Sequence, residues 1–452
     1  MSAATIREES REIPVAYDAD LCVVGGSATG VFAAVTAARL GLRVALVEAQ
    51  GFFGGVATAG LVSIWHSILD TRHQKRIIGG LTVELAERLS RRRAVTIVPD
   101  CPDLYYVLNT EETKIELDEL VREAGVRPFL HARFADVAMK DGRPAAAIIE
   151  DKSGRRAIAA RMFVDATGDG DVVARAGLPF EKRGDLQPPT TCFIVRGLEA
   201  FARSRPGFFL GHFLFKDRQI DMPQGFLWSR ACVGRPDDVM VAGTRVPGAD
   251  CSDADQLTAA EMEGRRQVRL ICDLLRAEPE GEGVALAGLP AMIGIRETRH
   301  ATCLHRLTER EVLEGVRFDD AIANGSYRVD VHHSDKPGLT FRYLDGTEIY
   351  AVPGRPSVHG RWREETAEDP TFYQVPYRSL VPRGAANVLV AGRLMDADRG
   401  AYGAVRVMVN CNQTGEAAGA AASLALGAGV SVADVNPQTL RDTLRKGGSV
   451  IL

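Results

Sequence analysis

The chain has 452 residues, with 55 Lys and Arg against 59 Asp and Glu, a formal charge of −4 with His neutral. That balance excludes a dedicated nucleic-acid binder, since the longest Lys/Arg block is Arg91-Arg92-Arg93. Hydrophobic residues at 46% and charged residues at 25% suit a soluble globular chain of up to three domains or one large discontinuous fold, and 45 glycines exceed the ordinary share of about 7%.

The N-terminal MSAATIREESREIP is charged and polar, so no secretory signal is expected. No span of about 20 uncharged apolar residues follows, and no membrane span is expected either. The eight Cys are scattered, without CxxC or Cys/His zinc spacing, which predicts a reduced, cytoplasmic chain with no metal site.

Leu21–Val24 is a short apolar run of the kind a buried parallel strand shows, ending in Gly25-Gly26-Ser27-Ala28-Thr29-Gly30. Val31–Leu40 supplies Ala-rich helix formers, Gly41 a C-cap, and Leu42–Val47 a second strand ending at Glu48. This is a βαβ unit of about 30 residues. Its loop turns sharply into a helix N-terminus, where backbone N–H groups and the helix dipole favour a pyrophosphate. Ser27 occupies the middle glycine position of G-x-G-x-x-G, and Glu48 lies where an acid meets the adenosine ribose.

Further on, Thr82–Arg93 and Glu111–Ala124 have helical periodicity, the second closed by Gly125. Residues 126–160 alternate around Asp141-Gly142 and Lys152-Ser153-Gly154, predicting a three-stranded meander. Arg161–Asp165 reads as another buried strand, running into Ala166-Thr167-Gly168. Residues 181–376 are richer in loops and predict a second domain. Asn387–Ala391 reads as a last strand before Gly392, and Thr414–Leu426 as an Ala/Gly-rich helix that must pack closely against a neighbour.

Five blocks carry a resemblance: DADLCVVGGSATG; GFFGGVATAGLV; FVDATGDGDVVARAG; GIRETRH with DDAIANGSYRVDVHH; and VPYRSLVPRGAANVLVAGR with MVNCNQTGEAAGAAA. In order and spacing the chain resembles the FAD-dependent oxidoreductases of the glutathione-reductase-like, two-dinucleotide-binding-domain superfamily. The resemblance implies an α/β fold: a Rossmann-like FAD-binding domain with a central parallel sheet and β-meander, from 1–185 and 380–452, plus a mixed α+β substrate domain at 186–379. It implies FAD as cofactor. Gly25, Gly26 and Gly30, with Ser27, Ala28 and Thr29 between them, would hold the pyrophosphate, and Glu48 with Ala49 the ribose. Gly54, Gly55, Val56, Ala57 and Thr58 would run beside the ribityl chain and isoalloxazine. Phe134, Ala166, Thr167 and Gly168 would line the adenosine and phosphate side, and Gly392 and Arg393 the ribityl end. Asn412 and Thr414 would lie at a helix N-terminus aimed at the flavin pyrimidine edge, where a reduced flavin carries negative charge.

The flavin performs the redox chemistry while the protein supplies a proton acceptor and charge stabilisation. His332 and His333 close the SYRVDVHH block and are the candidate bases; adjacent strand residues face opposite ways, so one of them alone could meet the flavin. Arg296, in the Arg296-Glu297-Thr298-Arg299 block, has two readings: a bidentate clamp on a substrate carboxylate or the flavin edge, or part of an ion-pair network at a domain junction. Tyr377-Arg378 and Arg406 have the same two. His66, beside Trp65, could line the site, and Cys411 sits near a helix N-terminus, where thiolates are favoured. Asp396 and Asp398 depart from the small neutral residues that usually follow the AGR motif and could change the substrate-side wall or the local electrostatics.

No GxSxG, HExxH or Walker-type motif occurs, and Trp65, Trp228 and Trp362 form no Trp-x-Trp-x-x-Ile-Pro segment of the flavin halogenases. The expected reaction is hydride removal from a small or medium organic substrate to the flavin. A flavin monooxygenase using NAD(P)H and O2, and a non-redox FAD-binding protein, are the alternatives. A small molecule is the expected partner, with neither nucleic acid nor membrane, and a homo-oligomer fits the sequence as well as a monomer.

Overall fold

The structure, a computed structural model, describes residues 5–7, 9–98 and 106–452; Cys101 lies outside them. Strand β1 (Val15–Val24) leads into helix α1 (Ala28–Arg39) and returns as β2 (Val44–Val47), parallel to β1 with Val24 beside Val47. Gly41, just past α1, takes φ +94°, the left-handed conformation with which glycine ends helices. Helices α2 (Gly80–Arg91) and α3 (Thr110–Glu123) fall within two residues of their expected spans, and the Asn109 side chain caps α3.

Next come β3 (Arg127–Phe129), β4 (Arg133–Lys140), β5 (Arg143–Asp151) and β6 (Gly154–Asp165). The meander is β4–β6, and its last strand differs from expectation. Residues 154–160 and 161–165 are one strand of 12 residues rather than two. The exposed Arg161 looked like a break in the pattern, but Ala160 and Met162 on either side are buried, and no Gly or Pro interrupts the run. β6 therefore pairs with β5 at its start and lies parallel to β1 along nearly its whole length.

The chain then builds β7 (Cys192–Arg196), β8 (Trp228–Cys232), β9 (Arg235–Ala242), helix α4 (Ala254–Arg276) and β10 (Ala285–Gly288). The strands form an antiparallel sheet in the order β8-β9-β7-β10. Its two faces follow the period of 2: Phe193, Val195, Val239 and Val241 pack under Val268, Ile271 and Leu275 of α4. Cys192, Ile194, Met240 and Ala242 face the other way, toward Leu61.

Strands β11 (Ala321–Gly325) and β16 (Tyr373–Pro376) pair with each other, and between them β12 (Val329–His332), β13 (Leu339–Arg342), β14 (Thr347–Ala351) and β15 (Val358–Arg361) form an antiparallel meander. Finally β17 (Val388–Val390) docks parallel on the end of β6, followed by α5 (Arg399–Val405), α6 (Met408–Ala428) and α7 (Pro437–Lys446).

The main sheet thus runs β3-β2-β1-β6-β5-β4, with β17 also on β6. α6 begins at Met408, six residues before the expected Thr414. The polar run Asn410-Cys411-Asn412-Gln413-Thr414, expected at the helix N-terminus, lies buried inside the helix, with side chains bonded to neighbouring segments or to the helix itself. Where α6 crosses α1, Gly415 and Gly419 let the helices meet at backbone distance: a Cβ on either would lie 2.1 Å from Thr29 O or 2.2 Å from Ala33 O. The close packing expected of this Ala/Gly-rich helix is against α1. Among the described residues no helix is long and apolar enough to cross a membrane.

Candidate functional site

The parallel strands β1, β2, β6 and β17 end together, at Val24, Val47, Asp165 and Val390, which are register neighbours across the sheet. Ligands of open α/β sheets bind beyond such carboxyl ends. A cavity of about 1230 Å³ opens there, and the glycine-bearing segments after β1, β6 and β17 all line it, through Ser27–Thr29, Ala166–Gly168 and Ala391–Arg393. Gly54, Gly55 and Val56 line it too, held against the first turn by Gly54 N–H donating to Gly26 O at 2.8 Å.

The first turn is tight for a reason visible in its atoms. Gly25 has φ +102°, and a Cβ on Gly30 would lie 1.8 Å from Gly25 O, so the helix can start this close to the strand only with glycine at both places. Ser27, the departure from the glycine pattern, is the N-cap of α1, its Oγ accepting from Gly30 N–H at 3.4 Å. Behind the turn, the Glu48 carboxylate accepts from Gly26 N–H and Gln50 N–H, each at 2.7 Å. Burial pushes its pKa up, against those two bonds.

The far wall is polar and cationic. His332 on β12 is buried, its Nε2 3.3 Å from Asp330 Oδ1. Asp330 Oδ2 also accepts from Tyr327 Oη at 2.9 Å and from Arg406 Nη2 at 3.3 Å. Burial works against the Asp330 charge, but His332, Arg406 and Arg328 outweigh it and hold the carboxyl far below the usual range. Burial and the nearby Arg296 push His332 down to about 3, despite Asp330, so its ring is neutral at neutral pH. His66, its ring tilted against that of Tyr327 with centroids 4.2 Å apart, is likewise pushed down to about 3, by burial and then by Arg328. Arg296 is held by Pro188 O and Thr190 Oγ1, each 2.5 Å from Nη1, and burial lowers its pKa to about 10.

Of the expected catalytic residues, His66, Arg296, His332 and Arg406 meet on this wall. His333 does not: its side chain leaves on the opposite face of the strand and its Nε2 lies 2.8 Å from Thr340 Oγ1. Of the expected cofactor residues, Ser27, Ala28, Thr29, Gly54, Gly55, Val56, Ala166, Thr167, Gly168, Gly392, Arg393 and Asn412 line the cavity. Gly25, Gly26, Gly30 and Glu48 form the turn behind it. Ala57, Thr58 and Thr414 support it from within: Thr58 Oγ1 donates to Phe53 O at 2.7 Å, and Thr414 Oγ1 accepts from Gly392 N–H at 2.9 Å. Ala49 is exposed beside the Glu48 turn, and Phe134 packs in an apolar cluster of the meander with Phe129 and Ile149; neither lines the cavity.

Two expectations need correction. Cys411 lines the cavity as a thiol, since burial pushes its pKa up to about 12 and overrides the helix terminus. Asp396 and Asp398 face away from the cavity: Asp396 accepts from Cys303 N–H, and Asp398 caps α5 by accepting from Ala401 N–H. Of their two readings Tyr377 and Arg378 take the structural one, the first bonded to Val432 O and the second paired with Asp320. Within the Arg296 block, Glu297 binds Arg183 and His300, and Arg299 binds Asp171, so the ion-pair network exists beside Arg296 rather than through it. Sequence reasoning missed Asp330, Tyr327 and Arg328. Asp330 carried a signal, since residues two apart on a strand share a face and it precedes His332 by two.

No curated protein matches the chain. Among solved structures, it is similar to a geranylgeranyl bacteriochlorophyll reductase-like protein of Thermoplasma acidophilum (12% identity, 95% of this chain and 83% of that one, TM-score 0.43). It is also similar to the myxobacterial chondrochloren halogenase (15%, 95% and 79%, TM-score 0.41) and to the anhydrotetracycline hydroxylase of Streptomyces rimosus (12%, 95% and 66%, TM-score 0.43). The sequence pattern described as FAD dependent oxidoreductase matches residues 20–444, nearly the whole chain. The protein belongs to that family, and its cofactor is FAD.

Proposed function

We propose that this protein, within the glutathione-reductase-like superfamily, oxidises a small or medium organic substrate at a C–OH or C–NH centre, with His332 as the base. The residues present fit FAD. The N-terminus of α1 at Ser27–Thr29 would hold the pyrophosphate, the Glu48 carboxylate retains lone pairs for ribose hydroxyls, and Gly54–Val56 with Gly392-Arg393 would flank the ribityl chain. The Asn412 Oδ1 atom is buried without a partner, an orphan polar group beside the cavity that a ligand would satisfy. When bound, FAD supplies the two-electron acceptor for a substrate hydride.

This chain's own residues do the rest. In the tautomer that carries its proton on Nε2, the nitrogen 3.3 Å from Asp330 Oδ1, His332 has Nδ1 to accept the substrate proton. Asp330 fixes that tautomer and stabilises the imidazolium as it forms, and Tyr327 and Arg406 hold Asp330 in place. The observation that carries the reading is a buried carboxylate–imidazole pair on the wall of the cavity that the four glycine segments line.

Anaerobic mixing of FAD-loaded protein with a panel of alcohols and amines tests it. Bleaching of the flavin absorbance without NAD(P)H, slowed by about 10²–10⁴ in His332→Gln at unchanged FAD content, is expected. Bleaching only when NAD(P)H is added would refute it in favour of a monooxygenase.

A further inference from the structure

Among the described residues, the cavity wall carries more arginines than carboxylates. Of the charged side chains lining it, Glu199 pairs with Arg203 and Arg393 with Asp169. Among the described residues that leaves Arg230, Arg296 and Arg406 against the carboxylate of Asp330. The partners of the buried Arg296 guanidinium described above are a carbonyl and a hydroxyl, neither charged. The Nε atoms of Arg230 and Arg406 are buried with no hydrogen-bond partner. Buried guanidinium groups without a counter-anion are costly, and a ligand anion relieves that cost. A reduced flavin would bring one negative charge, fewer than the excess.

Beside this cluster the wall is apolar. The Arg328 guanidinium lies over the Phe341 ring at 4.1 Å, and Phe341 meets Phe226 at 5.8 Å. Trp228, Ala242 and Cys192 follow as register neighbours across β8, β9 and β7, all lining the cavity. The volume of about 1230 Å³ exceeds the about 300–1,000 Å³ of an ordinary ligand pocket, which accommodates a substrate body besides the cofactor.

We infer that the substrate is an amphiphilic carboxylic acid, its carboxylate received by Arg296 and Arg406 and its apolar body laid along Phe226, Phe341 and the Cys192–Ala242–Trp228 face. This rests on reading the cavity as the oxidation site. A carboxylate matches the planar guanidinium fork, and a single charge is carried without burying a second. The anion would also sit among the charges that hold His332 neutral, so binding it makes the imidazole a stronger base when the substrate is in place.

The test uses FAD-loaded protein and three probes followed by calorimetry: 4-phenylbutanoate, 4-phenylbutanamide and acetate. The phenylbutanoate is expected to bind at least about tenfold tighter than its amide, the ratio a charge-assisted hydrogen bond gives, and also tighter than acetate. That preference should vanish in Arg296→Gln and Arg406→Gln and survive in part in Arg296→Lys, which keeps the charge but loses the fork. The comparison of acid with amide in the unaltered protein stands even if a variant fails to fold. Equal affinity for acid and amide, or no saturable binding of either at millimolar concentration, overturns the inference. Flavin bleaching by neutral alcohols alone would overturn it too while leaving the oxidation reading intact.

Discussion

Three glycines in one helix should respond to alanine in opposite directions. Gly415, Gly419 and Gly427 all lie in α6, and alanine gains about 0.8–1.0 kcal/mol of helix propensity at an interior position. At Gly427, in the last turn, a Cβ meets nothing within 4 Å, so Gly427→Ala should keep part of that gain. At Gly419 a Cβ would lie 2.2 Å from Ala33 O and 3.0 Å from Ala33 C, both backbone atoms of α1 that no rotamer change can move. The helices must separate, at the upper end of the about 1–3 kcal/mol cost of overpacking, so the net loss after the propensity gain is about 2 kcal/mol. Thermal melting of the apo chain should show Gly427→Ala rising and Gly419→Ala falling by a few degrees. Gly415→Ala presses on Thr29 O, in the first turn of α1 at the cavity, and should weaken FAD binding as well, while Gly427→Ala leaves it unchanged. A Gly419→Ala protein that melts at or above the parent would refute the backbone-contact packing of these helices.

Asp330→Asn removes the anion 3.3 Å from His332, a contact worth about 5 kcal/mol to an imidazolium at an effective dielectric of about 20. Stopped-flow reduction by any substrate that bleaches the flavin should slow by at least about 100-fold, with FAD affinity unchanged. Burial pushes Glu416 up to about 8, above its ordinary 4.5, so its stabilisation is full below pH 4.5 and is lost as pH rises to 8. Relative to Glu416→Gln, the parent should lose about 4 kcal/mol between pH 5 and pH 8 in urea titrations, at about 1.4 kcal/mol per pH unit. Cys411, with its thiol pushed to about 12, should resist iodoacetamide at pH 8 until the chain is denatured, as read by peptide mass spectrometry.

The local features of this fold were legible because their physics is local. The strand–glycine turn–helix at 21–40, the acid at Glu48 and the turns of the meander each occupy consecutive residues, and all are found in place. Element ends were less legible where tertiary contacts bury polar side chains. The Asn410–Thr414 segment is helix because its polar atoms find partners on β11 and β16, about 40 to 90 residues away in sequence. The site divides the same way. The glycine segments were found by pattern, whereas the cationic wall draws on Arg296, Arg328, Asp330 and Arg406 from three separated stretches that only the folded chain brings together. His332 and His333 show what one periodicity can decide, since strand alternation requires that only one of them face the cavity, and His332 is that one.

A crystal structure of the chain soaked with FAD would weigh most. We expect density for one cofactor running from Ser27–Thr29 past Gly168 and Gly392, with its ring system reaching the wall of His332 and Arg406. Density elsewhere on the molecule, or a ring system remote from the Asp330–His332 pair, would contradict both the cofactor placement and the proton-transfer role built upon it.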